Sequence, residues 1–220
     1  MTTNTVLDAI YERRSIRKFE ERQIGREQLL ILLKAATWAP SGGNNQSWLF
    51  TAIYNKEVLA HINRLVREGF QQWIPDDDYP AKHSVKKRAK EDENFNFYHN
   101  APALIIASNR PNYANAMADC SLALENIFLT AQSLNLGSCY INHLHWLRGD
   151  APLRDYLFTL GIPKEHVICS AAAVGYAKDR PAPPARKANT VHIISPDWPK
   201  NGTWDLSVEE SEGFWKSNCC

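Results

Sequence analysis

The stretch that decides the fold is ANAMADCSLALENIFLTAQSLN, residues 114–135. Apolar side chains recur through it at the three- and four-residue spacing of a helix. The main stripe consists of Cys120, Ala123, Leu124, Ile127, Phe128, Ala131 and Leu134, and the opposite side carries Leu122, Leu129 and Leu136. A helix that is apolar nearly all round is expected in the middle of a fold. The sequence therefore predicts a central helix here, ended by Gly137.

Shorter patterns on both sides of this helix predict the remaining elements. Apolar runs indicate strands at residues 48–53, 103–107, 138–141 and 167–176, with an edge strand at about 190–194. Helices are expected at about 5–14, 26–38, 56–69 and 150–160, the last capped by Asp150. Helices and strands do not alternate regularly, so the order favours an α+β fold with a mixed sheet over a βαβ succession. We expect a single domain over residues 1–220, with a tail from about 195.

Residues 71–100 differ from the rest of the chain. They contain Asp76-Asp77-Asp78, Lys86-Lys87-Arg88 and Glu91-Asp92-Glu93, with five aromatic residues between these runs. A plain charged run would be a solvated face. The interleaved aromatic residues instead predict a partly ordered excursion, which we interpret as a lid or a dimer arm.

Composition excludes several classes of function. The 25 Lys and Arg residues nearly cancel the 24 Asp and Glu residues, so no overall field would recruit nucleic acid or an anionic membrane. No apolar run approaches the ~20 residues of a membrane helix. Five cysteines, an odd number, indicate reduced thiols in a cytoplasmic protein rather than a disulfide framework. The terminal Cys219-Cys220 pair is expected in a mobile tail.

Three polar clusters stand out against this background. Residues 13–19 read RRSIRKF, residues 39–48 read APSGGNNQSW, and residues 184–187 read PARK. Flavin mononucleotide (FMN) needs what they offer: cations and a hydroxyl for its phosphate, amides for the polar ring edge, and a close backbone. Taken singly, each cluster has an ordinary explanation, because basic residues favour helix C-termini and Gly and Asn are common in loops.

In combination, these clusters resemble the FMN-dependent nitroreductase family. Further resemblances follow in the expected order, in LENIFLTA at 124–131, LGSC at 136–139 and AAVGY at 172–176. The resemblance spans roughly residues 6–194. It implies an α+β homodimer with a mixed, mainly antiparallel central sheet flanked by helices, a C-terminal extension onto the partner, and two FMN sites at the interface.

The resemblance also implies a set of site residues. Arg13 and Ser15, together with Arg186 and Lys187, would hold the FMN phosphate, and Arg14 would lie along the ribityl chain. Arg17 would face the pyrimidine edge of the flavin. Ser41 and Asn44, with the backbone of Pro40 and Gly42, would reach the flavin of the other subunit, as would Gln46. Asn142 and His143 would lie beside flavin N5. His143 and His145 alternate as strand residues would and could share one face, but no third ligand has the spacing of a metal site, so none is expected.

The reaction implied is the transfer of a hydride from NAD(P)H to flavin N5 and then to an electron-poor acceptor such as a nitroaromatic compound or quinone, with ping-pong kinetics. Two departures from the family bear on the acceptor. Ser47 replaces the usual Pro, which would loosen its loop, and the bulky residues 142–145 would narrow the substrate space or supply a proton donor.

Two alternatives therefore stay open at this point. One is the same fold with a narrow acceptor, as in a reductive dehalogenase, an ene-reductase or a flavin-consuming enzyme. The other is a flavin-binding module without turnover.

Overall fold

The computed structural model describes residues 5–188, 190–192 and 194, and the backbone of 203–204. It divides the chain into two compact units, Met1–Pro181 and Ala182–Cys220. The tail predicted from about residue 195, including Cys219 and Cys220, lies outside the described residues apart from that short backbone segment. The single domain and the extension onto a partner stay predictions.

The first unit is an α+β fold built on a four-stranded sheet. Its strands are β1 (Leu49–Ile53), β2 (Ala103–Asn109), β3 (Gly137–Ile141) and β4 (Val167–Gly175). The strand order is β1-β2-β4-β3, and each neighbouring pair is antiparallel. A parallel bridge between Ser15 and Ser138 adds a further segment at the β3 edge. The expected mainly antiparallel, mixed sheet is confirmed.

Helices cover both faces of this sheet. Those described are α1 (Thr5–Glu12), α2 (Arg26–Thr37), α3 (Lys56–Gln72), α4 (Pro80–Glu91), α5 (Ala116–Ser133), α6 (His143–Trp146) and α7 (Ala151–Thr159). One apolar core lies beneath α3, α4, α6 and α7, and the other beneath α2 and α5. Both faces of β2 and β4 are therefore buried, which explains why these strands are apolar almost throughout.

A bulge changes the alternation within β4. Ala107 pairs with Ser170, whereas the next residue, Ser108, pairs with Ile168, which leaves Cys169 as the extra residue. Cys169 and Ala172 both face the core beneath α2 and α5, whereas Ile168 and Ala171 both face the core beneath α3, α4, α6 and α7. A bulge is expected to shift the side-chain alternation in this way.

Two of the predicted helices begin with a side chain that caps the first turn. The Asn55 side chain accepts a hydrogen bond from Val58 N at the start of α3, and Asp150 accepts one from Leu153 N at the start of α7. These caps satisfy backbone donors that have no partner within the helix. The Asp150 cap was predicted from the sequence, and its helix is confirmed.

The predicted end of α5 is wrong. The residue in the left-handed conformation after this helix is Asn135, with φ 56°, and Leu136 N donates to Ala131 O at 2.8 Å. Asn tolerates this conformation better than most residues because of its short polar side chain. Gly137 begins β3 instead.

The position of α5 also differs from the prediction of a helix in the middle of the fold. Its main stripe is buried against the sheet, but Met117 and Leu122 lie on the exposed side. The single chain therefore leaves part of this apolar helix uncovered.

Much of the 71–100 excursion is built into the first unit. Helix α4 packs against α3, and Phe95, Phe97 and Tyr98 are buried in the same core. Lys82 is also buried and forms ion pairs with Asp76 and Asp77. Phe95, Phe97 and Tyr98 are thus core residues of this chain, whereas Tyr79 is exposed. The role of the segment as a lid or dimer arm stays a prediction.

The second unit contains a short hairpin, β5 (Val191–His192) with β6 (Thr203–Trp204). It includes the edge strand expected at about 190–194.

Candidate active site

The cationic segment 13–19 runs along the sheet edge. Ile16 N donates to Ser138 O at 2.9 Å, and Lys178 N donates to Lys18 O at 3.0 Å. Ile16 and Phe19 are buried, whereas Ser15 is half-buried and Arg17 is exposed. Because neighbouring side chains of an extended segment point to opposite sides, Ser15 and Arg17 face away from the core that holds Ile16.

Gly137 allows this segment to approach β3. A Cβ atom at Gly137 would lie 2.7 Å from Cγ1 of Ile16, too close for any larger residue without a shift. The small size of Gly137 therefore allows close packing against Ile16, whereas the sequence had predicted that Gly137 ends a helix.

Arg13 and Arg17 lie near the same strand. Burial raises the pKa of the Cys139 thiol in β3, and the charges of Arg17 and Arg13 oppose that rise. Arg13 has a carboxylate neighbour, with Nε 3.8 Å from Oε1 of Glu125. Arg17 forms no ion pair within the described residues. The two cations therefore converge at the β3 edge and keep donor capacity for an anion.

The Arg14 side chain folds back onto α1. Its Nη1 donates to Tyr11 O at 2.6 Å and to Arg13 O at 2.7 Å, which are carbonyls at and just beyond the C-terminus of the helix. Its Nε is buried and has no hydrogen-bond partner. Most of this guanidinium thus caps a helix, which was the ordinary explanation for the basic cluster.

The loop 40–47 is an exposed, tightly folded tip. Gly43, Asn44 and Gln46 adopt positive φ values of 58°, 55° and 47°. Gln46 N donates to the Ser41 hydroxyl at 3.1 Å, and Gln46 Nε2 donates to Asn44 Oδ1 at 2.7 Å. Ser41, Asn44 and Gln46 therefore form one hydrogen-bonded group, as neighbours in a single loop.

Asp119 of α5 holds this loop in place by hydrogen bonds. Its carboxylate is 3% exposed and accepts hydrogen bonds from Gly42 N at 3.2 and 3.3 Å. The Tyr113 hydroxyl donates to Asp119 Oδ2 at 2.8 Å and contacts Gly42 O at 3.0 Å. Sequence reasoning missed both residues, although a lone acid on the apolar helix was a usable signal.

Ser47 also fixes the loop. Its hydroxyl donates to Asn109 Oδ1 at 2.8 Å, at the end of β2. The expectation that Ser47 would loosen the loop is wrong, because the hydroxyl supplies a link to the sheet.

His143 lies at the start of α6, where its ring is enclosed by Phe70, Phe95, Phe97 and Trp146. Burial lowers the pKa of His143 to about 3, so the imidazole is uncharged at neutral pH. Its Nδ1 has no hydrogen-bond partner. The half-buried Asn142 precedes this helix and Trp146 N donates to its carbonyl.

The alternation of His143 and His145 predicted that both lie on one face of a strand. This prediction is wrong, because residues 143–146 are helical. His145 Nδ1 lies 2.8 Å from Ile168 O, and its Nε2 lies 3.4 Å from Arg148 Nη1. A single tautomer satisfies both contacts, with Nδ1–H donating and Nε2 accepting. Among the residues that the structure describes, no three His, Cys, Asp or Glu side chains gather as a metal site would require.

Arg186 and Lys187 belong to the second unit, where both are exposed. Their predicted place at the phosphate is not described by the first unit alone and stays a prediction.

The fold and the site define an α+β protein in which a cationic edge segment accompanies β3 and an amide-rich loop between α2 and β1 is held by Asp119 of α5. The donors of the cationic segment suit a phosphate and a polyol. The Ser15 hydroxyl and the Arg17 guanidinium have no acceptor within the described part of the chain, and the Arg14 Nε is an orphaned donor. The residues present therefore fit an anionic, hydroxyl-rich ligand such as FMN.

Comparison with known proteins agrees with this class. Residues 10–176 match the model of the nitroreductase family, and the chain belongs to that family. An Archaeoglobus fulgidus protein, named a candidate NADH dehydrogenase/NAD(P)H nitroreductase, is 33% identical over 178 residues, which cover 79% of this chain and 86% of the relative. A Bacillus subtilis relative named FMN reductase [NAD(P)H] is 28% identical over 185 residues, covering 81% of this chain and 68% of the relative.

Solved structures show the same fold. A nitroreductase with bound FMN from Bacteroides fragilis superimposes with a TM-score of 0.79 at 34% identity, covering 88% of this chain and all of the other. An FMN-dependent nitroreductase from Clostridium difficile gives a TM-score of 0.68 at 26% identity, covering 87% and 98%. No helix among the described residues is long and apolar enough to cross a membrane.

Proposed function

We propose that this protein is an FMN-dependent oxidoreductase that takes electrons from NAD(P)H and passes them to an electron-poor acceptor such as a nitroaromatic compound or a quinone. The observation that carries the proposal is the set of donors without acceptors at residues 14–17, in a chain of the nitroreductase family. The Bacteroides fragilis relative holds FMN. NADH and NADPH are both candidate donors.

The proposed site residues would contact different parts of FMN. Arg13 and Ser15, with Arg186 and Lys187, would hold the phosphate by charge-assisted hydrogen bonds. Arg17, with no ion pair in the described structure, would place a positive charge at the pyrimidine edge. Ser41, Asn44 and Gln46 would present amides and backbone to the flavin of a partner. Bound FMN would supply the hydride-carrying N5.

His143 does not fit the role of proton donor that the sequence had left open. Its pKa of about 3 leaves it uncharged near neutral pH, and four aromatic residues surround its ring. An uncharged imidazole is a weak acid. The half-buried Asn142 side chain and the backbone of residues 142–143 therefore suit a role beside the flavin better than the His143 ring does.

A homodimer is supported by the apolar surface that the single chain leaves exposed. Helices α1 and α2 both pack against α5. Their outer faces carry Val6, Ile10, Tyr11, Leu30, Ile31, Met117 and Leu122, all at least 37% exposed, and Trp38 follows α2 at 79% exposure. An apolar patch of this extent is typical of a protein interface. A second copy covering it would also bury the uncovered side of α5.

The test of this function is the absorption spectrum of the purified protein before and after anaerobic addition of NADPH and then NADH. We expect the two visible flavin bands and their bleaching within seconds. Bands that persist would leave a flavin-binding module without this half-reaction. A protein that stays colourless after incubation with FMN would refute the proposal.

Variants separate the roles of the cations. Arg13→Ala should weaken FMN binding by about 1.5–3 kcal/mol, the value of a hydrogen bond to a charged group. Arg17→Ala should change the reduction potential of the flavin more than its affinity. If Arg13→Ala bound FMN as tightly as the parent, the phosphate assignment would be wrong.

A further inference from the structure

A cavity of about 290 Å³ lies in the first unit, where α7 and the loop that follows it meet the first residues of β4. None of the residues that line it is among those predicted to bind FMN. Its apolar lining includes Leu157, Ile162 and Ile168, which are at most 6% exposed. Sites for drug-sized ligands usually have volumes of about 300–1,000 Å³, so this cavity suits a smaller molecule with an apolar body.

Three of the residues around this cavity are exposed cations, namely Arg148, Arg154 and Lys164. Within the part of the chain that the structure describes, none of the three forms an ion pair. Among the described residues that line the cavity, Glu165 is the only acid. The cavity therefore has an excess of positive charge, in a chain whose overall charge is +1. Cations without carboxylate partners beside an apolar lining are complementary to an anion that is attached to an apolar body.

Both arginines are held in place by their neighbours. Arg148 Nη1 donates to His145 O at 3.2 Å and lies 3.4 Å from His145 Nε2, while His145 Nδ1 lies 2.8 Å from Ile168 O. The Arg154 guanidinium lies over the Phe158 ring, with its central carbon 5.5 Å from the ring centre. These contacts use few of the five N–H groups of each guanidinium. An anion would therefore meet donors that are already oriented, which lowers the cost of binding.

His166 forms a fixed polar part of the lining. Its Nδ1 lies 3.1 Å from Oγ of the buried Ser108. Burial lowers the pKa of His166, and the charges of Glu165 and Arg110 act on this pKa in opposite directions. The negative charge of Glu165 is thus offset beside this ring. The excess positive charge of the cavity remains with the three exposed cations.

We propose that this cavity is a second binding site, separate from the flavin site, for a small organic carboxylate with an apolar chain or ring. The carboxylate accepts hydrogen bonds from Arg148, Arg154 and Lys164, and the apolar body covers the buried lining and is removed from water. Inorganic phosphate would use the same cations but would leave the apolar lining uncovered. The inference does not depend on the flavin chemistry.

The test is calorimetric titration of the full-length protein with octanoate, with and without saturating FMN. We expect saturable binding at one site per chain, unchanged by FMN. Butyrate should bind at least tenfold more weakly, because its shorter chain buries fewer methylene groups. 1-Octanol has the same apolar chain without the charge and should also bind at least tenfold more weakly.

Charge-reversal variants locate the site. Arg154→Glu and Lys164→Glu should each weaken octanoate binding at least tenfold, because each replaces a donor with a repelling charge. The matched control is Lys90→Glu on α4, which makes the same change of charge at an exposed position outside the cavity and should leave binding unchanged. All three positions are exposed, so the variants are expected to fold.

Three results would overturn the inference. They are the absence of saturable octanoate binding, its loss when FMN is bound, and an equal weakening by all three variants. The flavin function is decided separately by the absorption spectrum, so either proposal can fail without the other.

Discussion

The anchor between Asp119 and the loop 40–47 leads to a quantitative prediction for Asp119→Asn. The buried carboxylate serves two donors, the Gly42 N–H and the Tyr113 hydroxyl. Desolvation of the phenol and its hydrogen bond to Asp119 also raise the pKa of Tyr113, so the phenol remains protonated and donates. The Asn variant keeps the shape of the side chain and one acceptor oxygen, but it loses the charge.

The expected cost follows from these two bonds. Each hydrogen bond to a charged acceptor contributes about 1.5–3 kcal/mol, and a charge-assisted bond is about twice as strong as a neutral one. Converting both to neutral bonds should lower the free energy of unfolding by about 1.5–3 kcal/mol. Tyr113→Phe removes one donor, and we expect a loss in the same range.

The assay is urea unfolding of the parent, both single variants and the double variant, with the m-values compared. Because the two groups are bonded directly, the double variant should be more stable than additivity predicts, by about 1 kcal/mol or more. A coupling energy near zero would refute the anchor. FMN affinity of the Asn variant then tells whether a displaced loop weakens the flavin site.

Three further predictions concern packing, acid stability and assembly. Gly137→Ala should cost about 1–3 kcal/mol through overpacking, whereas Gly149→Ala, which would meet nothing within 4 Å, should be nearly neutral in the same urea assay. His143 has a folded pKa near 3, below its ordinary 6.5, so unfolding takes up a proton and stability falls as the pH drops through this window. His143→Leu should therefore lose about 2 kcal/mol less than the parent between pH 7 and pH 5, measured by thermal or urea unfolding; an equal loss would contradict a buried neutral ring. Leu122→Glu should give a monomer in sedimentation analysis, and a dimer that tolerates it as well as Ile74→Glu would place the interface elsewhere.

The elements and the family were predictable because their signals are local and redundant. The α5 stripe repeats over about four turns, and strands such as β2 are short apolar runs between polar residues, so burial and periodicity agree. The Asp150 cap was predictable because a side-chain oxygen at the start of a helix commonly accepts a hydrogen bond from a backbone N–H of the first turn.

The failures share a different cause, since each depends on a neighbour distant in the chain. Gly137 was read as a helix end, but its small size serves Ile16, which lies 121 positions earlier. His143 was expected to alternate with His145 along a strand, but it begins a helix, and three of the aromatic rings that enclose it come from two other segments, α3 and residues 95–97. Local pattern cannot show such partners.

The candidate site was predictable in part. The sequence pointed to residues 13–17 and 40–46 as polar clusters, and the structure describes both as exposed or half-buried surfaces with fixed backbone. It did not reveal that the Arg14 guanidinium caps α1, because one basic run can supply both a helix cap and a ligand donor.

The bulge at Cys169 has a consequence for how this sequence can change. Deletion of Cys169 would make Ile168 and Ser170 consecutive partners of Ser108 and Ala107 in a regular ladder, so the residues on both sides of the bulge would keep their faces. Deletion of a residue from the regular part of β4 would instead turn the side chains on one side of it toward the opposite helical layer. This strand can therefore shorten by one residue at the bulge without exchanging the contacts of its two layers.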